Sequence, residues 1–501
     1  MLDSKSFSMK KKIITILVSS CFLFQSCEKM LEIVPAFTSP ESLILSTVDG
    51  MDGGLNYAYQ QLHTDIGRHH TLWSEAMSDH LLLRGSVLQT QMNFYNRDMD
   101  AVITETVSST DLRVVSDVKL RDLYNCANTA SIILRACENG LAKNDLVYES
   151  NKSRIMGECH FLRAVSHFEM VRFWAKPWGS TPDNSHPGVV LSDAPVDDRV
   201  SQIKPRASLA ATFEFVIAEL KKAEELLPET YDASQHAAVY NGRAYKDAAR
   251  GYLAKVYFQQ HNYPMAKQTI DGLIGATAGE PSRHPLQPSL SELFSARGPD
   301  ATDPECIYQS TSSITTNSLA PYWNSNNTES IYSLNNANPK GVATEAFVAD
   351  AHFDGADLRR TTLFATLADG RITPIKYSIV SHLNIPLIRT AEMLLDRAEI
   401  NAAANNLEDA IADCNAIRGR AQISLLPDNI TQAALIDTIK VERIRELCFE
   451  GDRLHNLRRM MVPIPAGERS DQTPLPWNGL ELVLKFSAED MARNPLLENN
   501  Y

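Results

Sequence analysis

Eight segments of this 501-residue chain space their apolar residues at i, i+3 and i+4: 114–138, 153–174, 208–227, 243–260, 265–274, 387–404, 407–420 and 435–449. That period draws one apolar stripe along a helix and commits most of the ordered chain to α-structure. Between these segments lie stretches crowded with Pro, Gly, Ser and Asn, at 177–205, 277–304, 310–339 and 462–479. Connections of that length inside a compact protein are usually functional or disordered. The best strand candidates are short, 305–309 and 371–379. The expected fold is mostly α, built of helical hairpins joined by long breaker-rich stretches.

Two of the hairpins share a spacing. Leu253, Ala254 and Tyr257 on one helix face Ala266 and Ile270 on the next, with Asn262 and Pro264 opening the second helix. Ala398 stands in the same relation to Ala410 across Asn405-Asn406. Small residues at such places let antiparallel helices approach closely, which is the mechanical core of a tetratricopeptide repeat. The alternative is two unrelated hairpins. Segments 153–174 and 208–227 form a candidate third hairpin whose turn is swollen by 177–205. The repeats are not tandem, so the expected architecture is an interrupted helical scaffold with large loops.

The N-terminus carries a different signal. Lys10-Lys11-Lys12, a mostly apolar run from Ile13 to Phe24, and Ser26-Cys27 read as the leader of an exported lipoprotein, with Met9 as its start. The run is too short for a membrane-spanning helix, which needs roughly 20 apolar residues. Cleavage before Cys27 makes that cysteine the lipidation site; Val18-Ser19-Ser20-Cys21 offers Cys21 as the rival, and an uncleaved buried helix is the third possibility. The chains on a lipoprotein cysteine would make a durable anchor. The formal net charge of −13 grows more negative once Lys5, Lys10, Lys11 and Lys12 are removed. Nucleic acid is therefore excluded as an expected partner, since it needs clustered Lys and Arg. Cys126, Cys137, Cys159, Cys306, Cys414 and Cys448 are scattered, without C-x-x-C or zinc-type spacing; one disulfide is permitted but not demanded.

No residue pattern requires catalysis, a metal or a cofactor. Glu442 to Glu450 is rich in carboxylates, but Arg443 and Arg445 lie beside them, and flanking arginines lower a carboxyl pKa. An ion-pair network is expected there, with Val441, Ile444, Leu447 and Cys448 as the buried stripe and Gly451 ending the helix. Asp350, Asp354 and Asp357 lack a calcium loop's glycine and closing Glu, so Asp357-Leu358-Arg359 reads as a turn lock. His63, His69 and His70 have no ligand-spaced partner and are expected on the surface or satisfied in the core. Asp49 to Gly54 reads as a turn before a helix and not as a phosphate loop.

Several motifs together resemble the SusD/RagB family of outer-membrane nutrient-binding lipoproteins of Bacteroidetes. They are Cys27-Glu28-Lys29, Ser78-Asp79, Gly157-Glu158-Cys159-His160-Phe161-Leu162-Arg163-Ala164, Asp357-Leu358-Arg359, Arg389-Thr390-Ala391-Glu392 with Arg397-Ala398-Glu399, Glu442 to Arg453, Leu457-Arg458-Arg459 and Asn494-Pro495. Asn456 stands where the family has Asp, and a second terminal Asn-Pro is missing. The resemblance implies a mostly α, SusD-like fold of tetratricopeptide-like helical hairpins with a loop-rich ligand-binding half, a lipid-anchored protein facing the exterior, a SusC-like TonB-dependent transporter as partner, a glycan ligand, no cofactor and no catalysis. It divides the chain into a leader at 1–26 and one integrated fold of two regions, 27–240 and 241–501.

A sugar ring has an apolar C–H face and a fringe of hydroxyls, so a flat aromatic and nearby amides or guanidiniums suit it. Tyr322-Trp323, in a Ser/Thr/Asn-rich stretch with Asn324 beside them, are the leading ligand-binding residues. The loop after Ser78-Asp79 adds Arg84, Asn93 and Tyr95, and Trp73 just before it is either site or core. A peptide or other oligomeric nutrient is the alternative ligand. An exported helical glycoside hydrolase is the third reading.

Overall fold

The computed structural model describes residues 41–85, 89–104, 116–197, 201, 203–232, 234, 236, 238–294, 302–311, 340–376, 384–469 and 472–500. Cys21, Cys27 and Tyr322 to Asn324 lie outside the described residues. Among the described residues no helix is long and apolar enough to cross a membrane.

Helix α1 (Val48–Thr64) opens at Thr47, whose side chain accepts the Gly50 N–H. The glycine-rich run from Asp49 to Gly54 is thus the first part of a helix and not a turn ahead of one. The chain then widens through Asp65–His70 as a π-helical turn into α2 (Thr71–Met77), β1 (Leu81–Leu83) and α3 (Gln89–Tyr95). Three long helices follow: α4 (Ser116–Glu138), α5 (Tyr148–Trp174) and α6 (Leu209–Leu226). α5 is the central post, packed by α1, α4 and α6. It is buried on nearly every side, polar Arg154, Glu158, Arg163 and Glu169 included, because partners surround it and leave no solvent face. At Gly54 a Cβ would sit 2.9 Å from Ile133, so glycine is what lets α1 lie close on α4.

α7 (Lys246–Gln259) and α8 (Tyr263–Ile274) form a hairpin, with Ala254, Ala266 and Ile270 wholly buried at the contact. After them come β2 (Cys306–Ser310), β3 (Gly341–Ala343), α9 (Glu345–Ala351), α10 (Leu358–Thr362), β4 (Phe364–Thr366), β5 (Ile372–Pro374) and β6 (Ile385–Arg389). The strands pair in antiparallel twos: β1 with β3, β2 with β6, β4 with β5. α11 (Thr390–Ala403) and α12 (Leu407–Arg420) repeat the hairpin with Ala398 and Ala410 buried, and α13 (Gln432–Leu447) and α14 (Arg453–Arg459) close the body. The helix expected from 387 therefore starts later. β6 pairs with β2, Arg389 stays extended, and the helix begins at Thr390.

The two hairpin turns are the same turn. His261 and Asn405 take left-handed φ angles of 58° and 64°. In one turn His261 N–H donates to Phe258 and Asn262 N–H to Tyr257; in the other Asn405 donates to Ala402 and Asn406 to Asn401. This is the Schellman closure, which satisfies the last carbonyls of a helix. It recurs after α3 at Arg97, after α4 at Gly140, after α12 at Gln422 and after α14 at Met461.

α13 buries charges along with the Leu447 and Cys448 end of its apolar stripe. Glu442, Arg443, Arg445 and Glu446 are buried, whereas Val441 and Ile444 are only half-buried. Glu442 accepts from Arg359 at 2.9 Å, Arg445 at 2.7 Å and Arg418 at 2.5 Å. Glu446 accepts from Arg389 at 2.7 Å and Arg420 at 2.5 Å, and Glu450 from Lys376 at 2.6 Å. Burial alone would raise the Glu446 pKa, but Arg420, Arg389 and Arg359 hold it far below the carboxylate range. Asp357 locks its turn as expected: its carboxylate caps the Arg359 N–H at 3.0 Å and pairs with the Arg359 guanidinium. Gly451 lies beyond the end of α13. A Cβ there would meet Thr71 Cα at 3.0 Å, so glycine seats this turn on α2.

Candidate ligand-binding site

The segment after Ser78-Asp79 pairs through backbone with the strand that follows the other stretch expected to hold ligand. β1 lies antiparallel to β3, pairing Leu81 with Ala343 and Leu83 with Gly341. The ladder extends one step further, with Arg84 N–H donating to Lys340 O at 2.7 Å. Arg84 thus stands beside the residue that follows the 312–339 stretch, where Tyr322, Trp323 and Asn324 lie. The opposite end of that stretch leaves from β2 at Ser310-Thr311, close to Gly67 of the π-helical turn.

A polar rim surrounds this junction. Arg84 donates to Asp369 at 2.7 Å, the two side chains being 24% and 45% exposed. Arg371, on the β4–β5 hairpin, makes a two-pronged bond to Glu468 at 3.0 and 2.9 Å. Asp369 is held ionised by its bond from Arg84 and by the Arg371 N–H. These groups present charged donors and acceptors toward solvent, the chemistry that bonds hydroxyls. Asp369, Arg371 and Glu468 carry no local motif. Their only signal is the Asp369-Gly370 turn, with φ at Gly370 of 83°, and nothing in the sequence points it at Arg84.

Behind the rim, Asp79, His80 and Asp350 offer ligand atoms within 4.8 Å of one another. A cation is already there: Arg453 donates to both Asp79 oxygens at 2.9 and 2.8 Å and reaches Asp350 at 3.4 Å. Burial would raise the Asp79 pKa, but the Arg453 bond keeps it below its ordinary value. The cluster reads as a structural ion pair that ties the Ser78-Asp79 corner to α14.

Asn93 and Tyr95 turn into the core, and Trp73 takes the core alternative. Trp73 is fully buried; its ring stacks on Phe94 at 4.6 Å and meets Phe173 and Trp174 edge-on at 5.6 and 6.0 Å. Tyr95 is 5% exposed, its ring covered by the Arg469 guanidinium 4.1 Å from the centroid. Asn93 is 6% exposed, and its backbone carbonyl closes the turn by accepting from Asp98 at 2.9 Å. The reason is α3. Residues 89–95, expected as loop, form a helix that lays Phe94 on Trp73, so this face turns into the core. Arg97 and Arg469 then pin the segment to backbone. Arg97 donates to Met77 O at 2.9 Å and Pro465 O at 2.6 Å, and Arg469 to Ser78 O at 2.9 Å and Ala466 O at 2.7 Å. Burial lowers both guanidinium pKa values, to about 10 and about 9. His63, His69 and His70 are likewise buried, and His63 bonds Tyr308 Oη at 2.8 Å.

Residues 307–480 match the model described as SusD family, and residues 89–258 match the one described as starch-binding associating with outer membrane. The SusD-like protein P25 of Formosa agariphila is 26% identical over 288 residues, which are 56% of this chain and 47% of that protein. The chain thus spans about half the length of this relative. A SusD superfamily crystal structure from Bacteroides vulgatus superposes with a TM-score of 0.74 at 20% identity, covering 91% of this chain and 98% of that one. A SusD-like carbohydrate binding protein from the same species superposes with a TM-score of 0.67 at 18% identity, covering 92% and 97%. The helical hairpins, the motif-bearing helices α5, α11 and α13, and these matches agree: the chain belongs to the SusD/RagB family.

Proposed function

We propose that this protein is a non-enzymatic, lipid-anchored binding protein of the outer membrane that captures a glycan and passes it to a SusC-like TonB-dependent transporter. The observation that carries the reading is the β1–β3 ladder, which sets Arg84 and its polar rim beside Lys340, the residue that follows the 312–339 stretch. Tyr322 and Trp323 supply the flat faces, Asn324 and Arg84 the polar partners, and the rim the outer hydroxyl contacts. The carboxylates on and just after α13 do not suit a general acid. A general acid needs a carboxyl kept neutral, and Glu442, Glu446 and Glu450 are each bonded to Arg or Lys. The name of the Bacteroides vulgatus neighbour, a carbohydrate binding protein, supports the ligand class. The description of the 89–258 match supports the outer-membrane location.

Retention of oligosaccharides by the purified protein tests this. Trp323→Ala should abolish retention with little change in melting temperature, Arg84→Ala should weaken it, and no new reducing ends should appear. Retention unaffected by Trp323→Ala, or release of reducing ends, would overturn the assignment.

A further inference from the structure

A second concavity lies away from the Arg84 rim, where the start of α7 and the turn before it face the entry to β2. Its volume is about 430 Å³, within the range of roughly 300–1,000 Å³ common for small-ligand sites. Tyr231, Tyr240 and Tyr245 line it. All three phenols are committed to the protein: Tyr231 Oη donates to Ala244 O at 2.7 Å, Tyr240 Oη to Asp52 at 3.0 Å, and Tyr245 Oη to Ile307 O at 2.7 Å. The rings are therefore held in place by their hydroxyl ends. What they can offer a guest is ring carbon.

Polar groups complete the lining. Arg283, 44% exposed, is fixed at the edge by Glu229 and Asp247, each at 2.7 Å. Asn241 and Thr302 contribute an amide and a hydroxyl. Rigid ring surfaces beside an amide, a hydroxyl and an oriented guanidinium match a ring whose faces are C–H and whose edge is hydroxyl. A strongly charged guest would meet both signs at the Arg283–Asp247 pair.

We propose that this cavity is a second saccharide subsite, sized for one or two pyranose units and independent of the rim at Arg84. The inference rests on the glycan-binding reading above. The geometry assigns Tyr231, Tyr240 and Tyr245 as the ring platform, Asn241 and Thr302 as hydroxyl partners and Arg283 as the guard at the edge.

The probes are methyl glycosides of glucose, galactose, mannose, xylose and N-acetylglucosamine, observed by saturation-transfer NMR with the full chain. Thr302 is exposed, so Thr302→Arg can fill the mouth without touching the core, and Asn241→Leu removes one hydroxyl partner. At least one glycoside should receive saturation from the unmodified protein, and the transfer should fall at least tenfold in both variants while surviving in Trp323→Ala. Unchanged melting in Thr302→Arg certifies the fold. Absence of transfer from every glycoside, or transfer indifferent to Thr302→Arg, overturns the subsite. If longer oligosaccharides are still retained through Trp323 in that event, the proposed function stands and only the second site falls. If no saccharide is retained at all, both fall.

Discussion

Glu75 offers the sharpest test of the buried electrostatics. The side chain is 1% exposed on α2 and accepts the Gly451 N–H at 2.8 Å. Burial raises its pKa from the ordinary 4.5 to about 8, with the Gly451 bond opposing and the Asp452 charge reinforcing the shift. In the folded protein the carboxyl is thus neutral over a range where the unfolded chain has already ionised. The folded state binds the extra proton, so stability is full below pH 4.5 and falls as pH rises toward 8. At about 1.4 kcal/mol per pH unit, the loss is on the order of 3 kcal/mol by pH 7 and 4–5 kcal/mol above pH 8. Glu75→Gln keeps an acceptor for Gly451 N–H but cannot ionise. Urea unfolding of both proteins from pH 4.5 to 9 should give a difference that starts near zero, grows in favour of the Gln variant, and levels off near pH 8. Other titrating groups cancel in that difference. A gap independent of pH would show that Glu75 is ionised in the fold and that the reasoning fails.

Other outcomes follow from packing and pairing. Ala254→Trp and Ala410→Trp insert rings at wholly buried helix contacts and should each cost roughly 1–3 kcal/mol or more by overpacking, seen as lowered melting temperature; normal melting would remove both residues from the hairpin interface. Glu446→Ala removes one of the two carboxylates that Arg389 and Arg420 share, leaving only Glu305 between them, and should cost up to about 3–5 kcal/mol, read from the urea midpoint. Cys27→Ala should release the protein from the membrane fraction; continued attachment, with release by Cys21→Ala instead, would move the lipid to Cys21.

Helix positions were legible because burial and period coincide: α6, α8 and α12 lie almost where the apolar spacing puts them. Their ends were harder to read. A Schellman closure is usually announced by glycine, but here the left-handed residue is Arg97, His261, Asn405, Gln422 or Met461, with glycine only at Gly140. Such positions are held by the carbonyls they satisfy, which no single residue type reveals. The ion pairs of α13 were expected, but their burial was not. Glu442 and Glu446 go inward because Arg359, Arg389 and Arg420, distant in sequence, converge on them. On the site side, Arg84 lies on the extended β1–β3 ladder, whereas Asn93 and Tyr95 turn into the core because α3 is one short helix. Seven residues carry too little period to separate a packed helix from a polar loop. Asp369, Arg371 and Glu468 join the rim only through the β1–β3 and β4–β5 ladders, so no local pattern marks them.

The thiols deserve a practical reading. Cys126, Cys137, Cys159, Cys306, Cys414 and Cys448 are all unpaired, and all but the half-buried Cys306 are buried. Burial pushes the thiol pKa up, to about 12 for Cys126 and Cys414 and about 11 for Cys137 and Cys448. The thiolate is the reactive form, so an alkylating reagent at neutral pH meets almost none of it until a helix opens. Cys126 and Cys137 report on α4, Cys159 on α5, Cys414 on α12 and Cys448 on the end of α13. The chain therefore carries its own set of opening sensors. Mass-resolved alkylation over time would rank the helices by how often each comes loose, with no probe engineered into the protein.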